Sequence, residues 1–146
     1  MLLLKEAVFY ALILPKGDTG LKIALYNENP GELEALSVQL EQCARECLRF
    51  MEITPYRKQE DFCNMIRSGP DYDLFVVAQD GTFSLEVVEL LREMRPQACI
   101  FWLSNLDFAL RAYRYNADWF GQKPVATPAL QNAFKRLLFI NRGGNP

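Results

Sequence analysis

The chain has no histidine, so the side chain most often used as a general base and as a transition-metal ligand is absent. The thiols are Cys43, Cys47, Cys63 and Cys99, without CxxC spacing. Cys43 and Cys47 lie one helical turn apart and read as buried core thiols rather than a metal pair. In a chain expected to be intracellular, all four are expected reduced. Among the carboxylates, Asp80 stands out by its place. Residues 73–78 place four bulky apolar side chains, Leu74 to Val77, between Asp73 and Ala78, with Gly69-Pro70 before and Asp80-Gly81 after. That pattern predicts a short, fully buried parallel strand. Chemistry in an open α/β sheet gathers where strands end at their carboxyl edge. Here the last place belongs to the methyl group of Ala78. Asp80 lies two residues on, on the same side if the strand continued, but Gly81 follows at once and favours a turn.

The elements that must position these groups can be read in order. Leu21–Tyr26 is a first core strand, and Asn27-Glu28-Asn29-Pro30 is the turn at its end. The acid there opposes an anionic ligand. Pro30 suits a first helical turn, and Glu32 and Glu34 favour a helix N-terminus. Leu33, Leu36, Leu40, Cys43, Cys47 and Phe50 recur at helical spacing, predicting an amphipathic helix to about Arg49. Met51–Tyr56 alternates and carries Pro55, as an edge strand does. A short helix over 60–66 turns Phe62, Met65 and Ile66 inward. After the central strand comes a helix from Ser84, its expected N-cap, to Met94. Residues 99–103 form a fourth strand, and 107–115 a helix with Phe108, Leu110, Ala112 and Tyr113 as its apolar set. Residues 118–121 form a fifth strand, and 126–140 a last helix.

Strand and helix thus alternate five times within one domain. Right-handed crossovers turn that pattern into a parallel sheet with helices on both faces. The expected fold is a flavodoxin/CheY-like (βα)5 three-layer sandwich with strand order 2-1-3-4-5, spanning 21–141 with a tail at 142–146. Residues 1–20 form an N-terminal extension. They are too interrupted for a membrane span and lack the basic start and cleavage site of a signal peptide. An added strand or helix and an upstream extension from a misplaced start codon both remain open. The net charge of −2 and 23% charged residues give no footprint for nucleic acid or a membrane surface, and a cytoplasmic protein is expected.

Residues 22–30 read KIALYNENP, and 108–124 read FALRAYRYNADWFGQKP. These resemble the KIAICDDEP and YALEAFEVGALDYLLKP segments of the CheY-like receiver domains of bacterial response regulators, LytTR-type regulators in particular. The alanines at 109, 112 and 117 and the Lys123-Pro124 pair fall in step, and the likeness covers about four-fifths of the chain. It implies a two-component phosphorelay fold that receives a phosphoryl group on an aspartate with bound Mg2+, in control of transcription. That reaction needs a carboxylate nucleophile, oxygen ligands for a hard cation and a positive charge for the phosphoryl oxygens.

On the same likeness, the phosphoacceptor position is Ala78, the metal-holding acidic pair is Asn27 and Glu28, the lysine is Lys123 and the mobile aromatic is Phe120. The hydroxyl position is Leu103 by ungapped spacing or Ser104 by a one-residue shift. These are remnants of a pocket without its acceptor. Glu28 and Asp80 are weak metal candidates, and a direct Glu28–Lys123 pair is expected in place of the ion. The expected protein is therefore a pseudo-receiver: no enzyme, no cofactor, and a protein partner or homodimer through the fourth helix, fifth strand and fifth helix. It should bind no nucleic acid directly. Two alternatives stand beside it, a receiver phosphorylated on Asp80 with Mg2+ and a flavodoxin-like small-ligand binder.

Overall fold

The computed structural model describes residues 20–143, with side chains described through residue 138. Strands β1 (Leu21–Tyr26), β2 (Met51–Tyr56), β3 (Leu74–Val77), β4 (Ile100–Ser104) and β5 (Trp119–Gln122) form one sheet in the order β2-β1-β3-β4-β5. Every pairing is parallel. The helices between and after them are α1 (Pro30–Glu46), α2 (Gln59–Ser68), α3 (Phe83–Met94), α4 (Ala109–Arg114) and α5 (Thr127–Gly143). This is the CheY-like flavodoxin fold.

Strand alternation divides the core in two. Ile23, Leu25, Val76, Phe101 and Leu103 meet Leu33, Leu36 and Leu40 of α1 and Leu130 and Phe134 of α5. Ala24, Tyr26, Phe75, Val77 and Trp102 face the other way, onto Phe62 and Ile66 of α2, Val87, Val88 and Leu91 of α3 and Ala112 of α4. β3 and β4 are buried throughout and β1 from Ile23 onward, which is why these strands are made almost wholly of apolar residues. Among the described residues β2 is an edge strand, the place where a strand tolerates the N–H that Pro55 lacks.

Two arginines at the end of α3 tie its neighbours down. Arg95 donates to the carbonyls of Met65, Ile66, Gly69 and Pro70, so it closes the carboxyl end of α2, and its guanidinium lies over the Phe75 ring. Arg92 donates to the carbonyls of Pro96, Ala98, Tyr115 and Asn116, which fixes the end of α4. Helix ends leave carbonyls without intrahelical partners, and a guanidinium fork is suited to collect them.

Several boundaries differ from the sequence expectation. α1 stops at Glu46, because Leu48 takes a left-handed φ of 55° and turns the chain toward β2. Phe50 is thereby removed from the helical stripe, and its carbonyl instead accepts from Leu21 N–H. Ser84 is not a cap. Thr82 holds the N-cap position, while Ser84 is fully buried inside α3, donating to Gly81 O and accepting from Trp102 Nε1. α4 is only six residues long, and its apolar set splits: Ala112 is buried, but Leu110 and Tyr113 are each 84% exposed. α5 runs on through Gly143, past the expected end at 140. The expectations for residues 1–19 and 144–146 lie outside the described residues.

Candidate functional site

The carboxyl edge of the sheet is closed by one polar network that starts at the end of β1. Asn27 is buried, and its Nδ2 donates to Ala78 O at 3.0 Å and to Glu32 Oε1. Its Oδ1 accepts from Asn29 N–H at 2.7 Å. Asn29 is the N-cap of α1, and its side chain accepts from Glu32 N–H at 3.0 Å. The residues Asn29-Pro30-Gly31-Glu32 have the spacing of a capping box, in which the acid would reach back to the cap's own N–H. Asn27 has already taken that N–H. The Glu32 carboxylate is therefore free to turn toward the crevice.

Lys123 comes from the other side, just after β5, where its own N–H bonds to Ser104 O at 2.8 Å. Its ammonium pairs with Glu32 Oε1 at 2.6 Å and with Asp80 Oδ1 at 2.8 Å, and it also donates to Ala78 O. An ammonium has three protons, and three oxygens take them. Asp80 sits in the β3–α3 turn, and its Oδ1 also accepts from Asn105 N–H at 3.3 Å. Asn105 Oδ1 accepts in turn from Gly81 N–H at 3.1 Å. The ends of β1, β3, β4 and β5 are thus linked through hydrogen bonds to one cation.

Glu28 does not join this cluster. Its carboxylate accepts from the Tyr26 hydroxyl, and its N–H donates to Gln79 Oε1 at 2.7 Å. The expected Glu28–Lys123 pair is corrected: the partners of Lys123 are Glu32 and Asp80. The geometry is the reason, since Glu28 lies in the exposed turn and its nearest donor is the Tyr26 phenol. Burial, and then the Glu28 carboxylate, push the Tyr26 phenol up from its ordinary range.

The remaining predicted positions are placed as follows. Ala78 is fully buried at the end of β3, its N–H bonded to Tyr26 O and its side chain part of the core that also holds Leu25 and Leu103. Leu103 belongs to that core, whereas Ser104 ends β4 on the opposite face, buried, with its Oγ accepting from Leu106 N–H at 3.1 Å. Of the two candidates for the hydroxyl position, Ser104 carries the hydroxyl and stands at the strand end. Phe120 is half-buried and packs edge-on against Trp102, which also stacks on Phe108 at 4.8 Å. The sequence reading left Glu32 and Asn105 out of the site. The capping-box spacing was the available sign of Glu32; nothing in sequence marked Asn105.

Between α1 and the loop after β5 lies a groove of about 380 Å³ lined by Glu32, Leu36, Gln39, Asp80, Lys123 and Val125. Gln39 Nε2 bridges its far wall, donating to Val125 O and Thr127 Oγ1.

No family model matches the chain, and no curated protein does either. Solved structures do. The beryllofluoride-activated DrrB receiver domain of Thermotoga maritima is 24% identical, with a TM-score of 0.63 over 81% of this chain and 97% of that one. The Thermotoga maritima response regulator TrrA, solved with Mg2+ and beryllofluoride, is 21% identical, with a TM-score of 0.64 over 80% and 97%. A CheY-like receiver domain protein from Methanospirillum hungatei is 16% identical, with a TM-score of 0.66 over 83% and 96%. At these identities the likeness carries the fold.

The TrrA structure holds Mg2+, and the donor set at this edge can be tested against that ion. A hard cation takes several oxygen ligands converging on one point. Here Asn27 turns its Nδ2 toward Ala78 O, Glu28 faces Tyr26, and Glu32, Asp80 and Ala78 O converge on an ammonium. Among the described residues no group of three or more Cys, Asp and Glu side chains is gathered to hold a metal. The residues as arranged do not fit the ion.

Proposed function

We propose that this chain is a pseudo-receiver: a signalling module of the two-component type that is not switched by phosphorylation and acts through protein–protein contact. The observation that carries the reading is the pairing of Ala78 at the end of β3 with a Lys123 whose protons are already taken by Glu32, Asp80 and Ala78 O. A methyl group cannot attack phosphorus. A lysine held by two carboxylates is also poorly placed to receive phosphoryl oxygens. A LytTR-type origin and a role in transcriptional control belong to the same proposal, supported by the 22–30 and 108–124 segments. On this reading the protein is not an enzyme, needs no cofactor and does not itself contact nucleic acid.

The contact surface proposed is the α4–β5–α5 face. Leu110 and Tyr113 are 84% exposed on α4, large apolar side chains whose burial a partner or a second copy would supply. The phosphorylatable alternative keeps one supporting observation, that the exposed Asp80 carboxylate reaches Lys123. The small-ligand alternative has less. The N-terminus of α1 is already closed by Asn29, with the Glu32 carboxylate beside it.

The test measures association with and without Mg2+ and a small phosphodonor, by sedimentation for self-association and by affinity capture for a partner. Association should be unchanged by the donor and lost in Leu110→Asp and Tyr113→Asp. A donor-dependent change in association would overturn the reading.

A further inference from the structure

We infer that the Lys123 ammonium is the resident cation of this crevice, so that the site is closed to divalent ions by its own side chain and opens to them when that side chain is removed. Three oxygens from three elements point at one atom: Glu32 Oε1 of α1 at 2.6 Å, Asp80 Oδ1 of the β3–α3 turn at 2.8 Å, and the carbonyl of Ala78. Two carboxylates and a backbone carbonyl are the ligand types a hard divalent cation takes. The ammonium is well shielded, its side chain 12% exposed, while the carboxylates are 35% and 45% exposed. Neither oxygen cage nor charge alone sets occupancy here; the tether does. An ammonium fixed to the backbone competes at an effective concentration that a free ion at millimolar levels does not match.

The charge balance agrees. One ammonium against Glu32 and Asp80 leaves a single net negative charge. Without Lys123 two carboxylates would face each other across the crevice, a repulsion that a divalent cation relieves. Asn27 also donates to Ala78 O and Glu32, contacts made independently of the ammonium, and these should keep the carbonyl and the Glu32 carboxylate aimed when Lys123 is replaced. In the native chain, the state of the crevice is therefore independent of divalent-ion concentration. This inference does not depend on what the α4 face binds.

The experiment titrates Mn2+ into the full chain and reads paramagnetic broadening of the Ala78, Asp80 and Asn105 amides together with the thermal midpoint. The native chain should show no site-specific broadening up to about 10 mM ion and no rise in midpoint. Lys123→Ala should broaden at those amides and gain midpoint with Mn2+, and adding Asp80→Asn should abolish both. Equal binding by native chain and variant, or no gain in the variant, overturns the inference. Should Lys123→Ala not fold, Lys123→Met takes its place. The native chain offers an independent reading: the Lys123 ammonium protons should exchange slowly, and faster in Glu32→Gln. Rapid exchange in the native chain would equally overturn the inference. Failure of the partner proposal would leave these readouts unchanged.

Discussion

A double-mutant cycle between Lys123 and Glu32 isolates the contact that orders the carboxyl edge. At an effective dielectric of about 20, unit charges at this separation attract by about 6 kcal/mol before desolvation is counted. Most of that is cancelled: Lys123 is 12% exposed and loses its water, while Glu32, 35% exposed, keeps part of its own. Exposed pairs contribute up to about 1 kcal/mol, and breaking a buried pair costs about 3–5 kcal/mol. This pair lies between, so a coupling of about 1–2 kcal/mol is expected from Lys123→Met and Glu32→Gln, made singly and together. Urea unfolding provides the free energies, with a constant m-value as the check on two-state behaviour. The sign of one leg is the sharper test. Glu32→Gln should destabilise the native chain, but in the Lys123→Met background it should be neutral or stabilising, because it removes the charge facing Asp80. Equal cost of Glu32→Gln in both backgrounds would refute the pairing and with it the network built on Lys123.

Arg95→Ala should lower stability by about 2–3 kcal/mol, since four carbonyls at the end of α2 lose a charged donor; Arg95→Lys should restore only part, because one ammonium cannot reach the whole set. Trp102→Phe should cost about 1–3 kcal/mol through lost volume and the lost bond to Ser84, and hydrogen exchange should quicken in α4, where Phe108 is left with a smaller ring to stack on. The last prediction concerns alkaline pH. Burial holds the Cys43 thiol up at about 11 and raises the Cys99 thiol and Tyr26 phenol as well. The unfolded chain gives up these protons first. The stability they confer is complete below the ordinary thiol value of 9.0 and is lost as pH rises through the raised values. Urea midpoints should therefore fall steadily from pH 9 upward.

The fold was legible because its cause is local and periodic. The three inner strands β1, β3 and β4 are mostly apolar and lie near turn-forming residues, and β2 carries its proline where an edge strand allows one. Their alternation with helical stripes leaves few topologies. Element ends were read less well, because they depend on single backbone events such as the left-handed Leu48, a conformation a leucine sequence does not announce. Leu110 and Tyr113 read only as apolar positions of a helix; which of the apolar set is buried is decided by a helix of six residues, which turns Ala112 inward and leaves those two outside. At the crevice, the places of Ala78 at the end of β3 and of Lys123 after β5 could be read from sequence. The partners of Lys123 could not. Glu28 is closest to the expected place by sequence, but Tyr26 claims it, and Asn27 frees Glu32 by taking the cap's N–H. That competition for hydrogen bonds is decided in three dimensions.

The most direct measurement is intact mass after incubation with a small phosphodonor and Mg2+, followed by peptide mapping of any adduct. The mass should be unchanged, with a donor-competent receiver domain phosphorylated in parallel. A base-labile adduct of one phosphoryl group mapping to Asp80 would contradict the account at its centre.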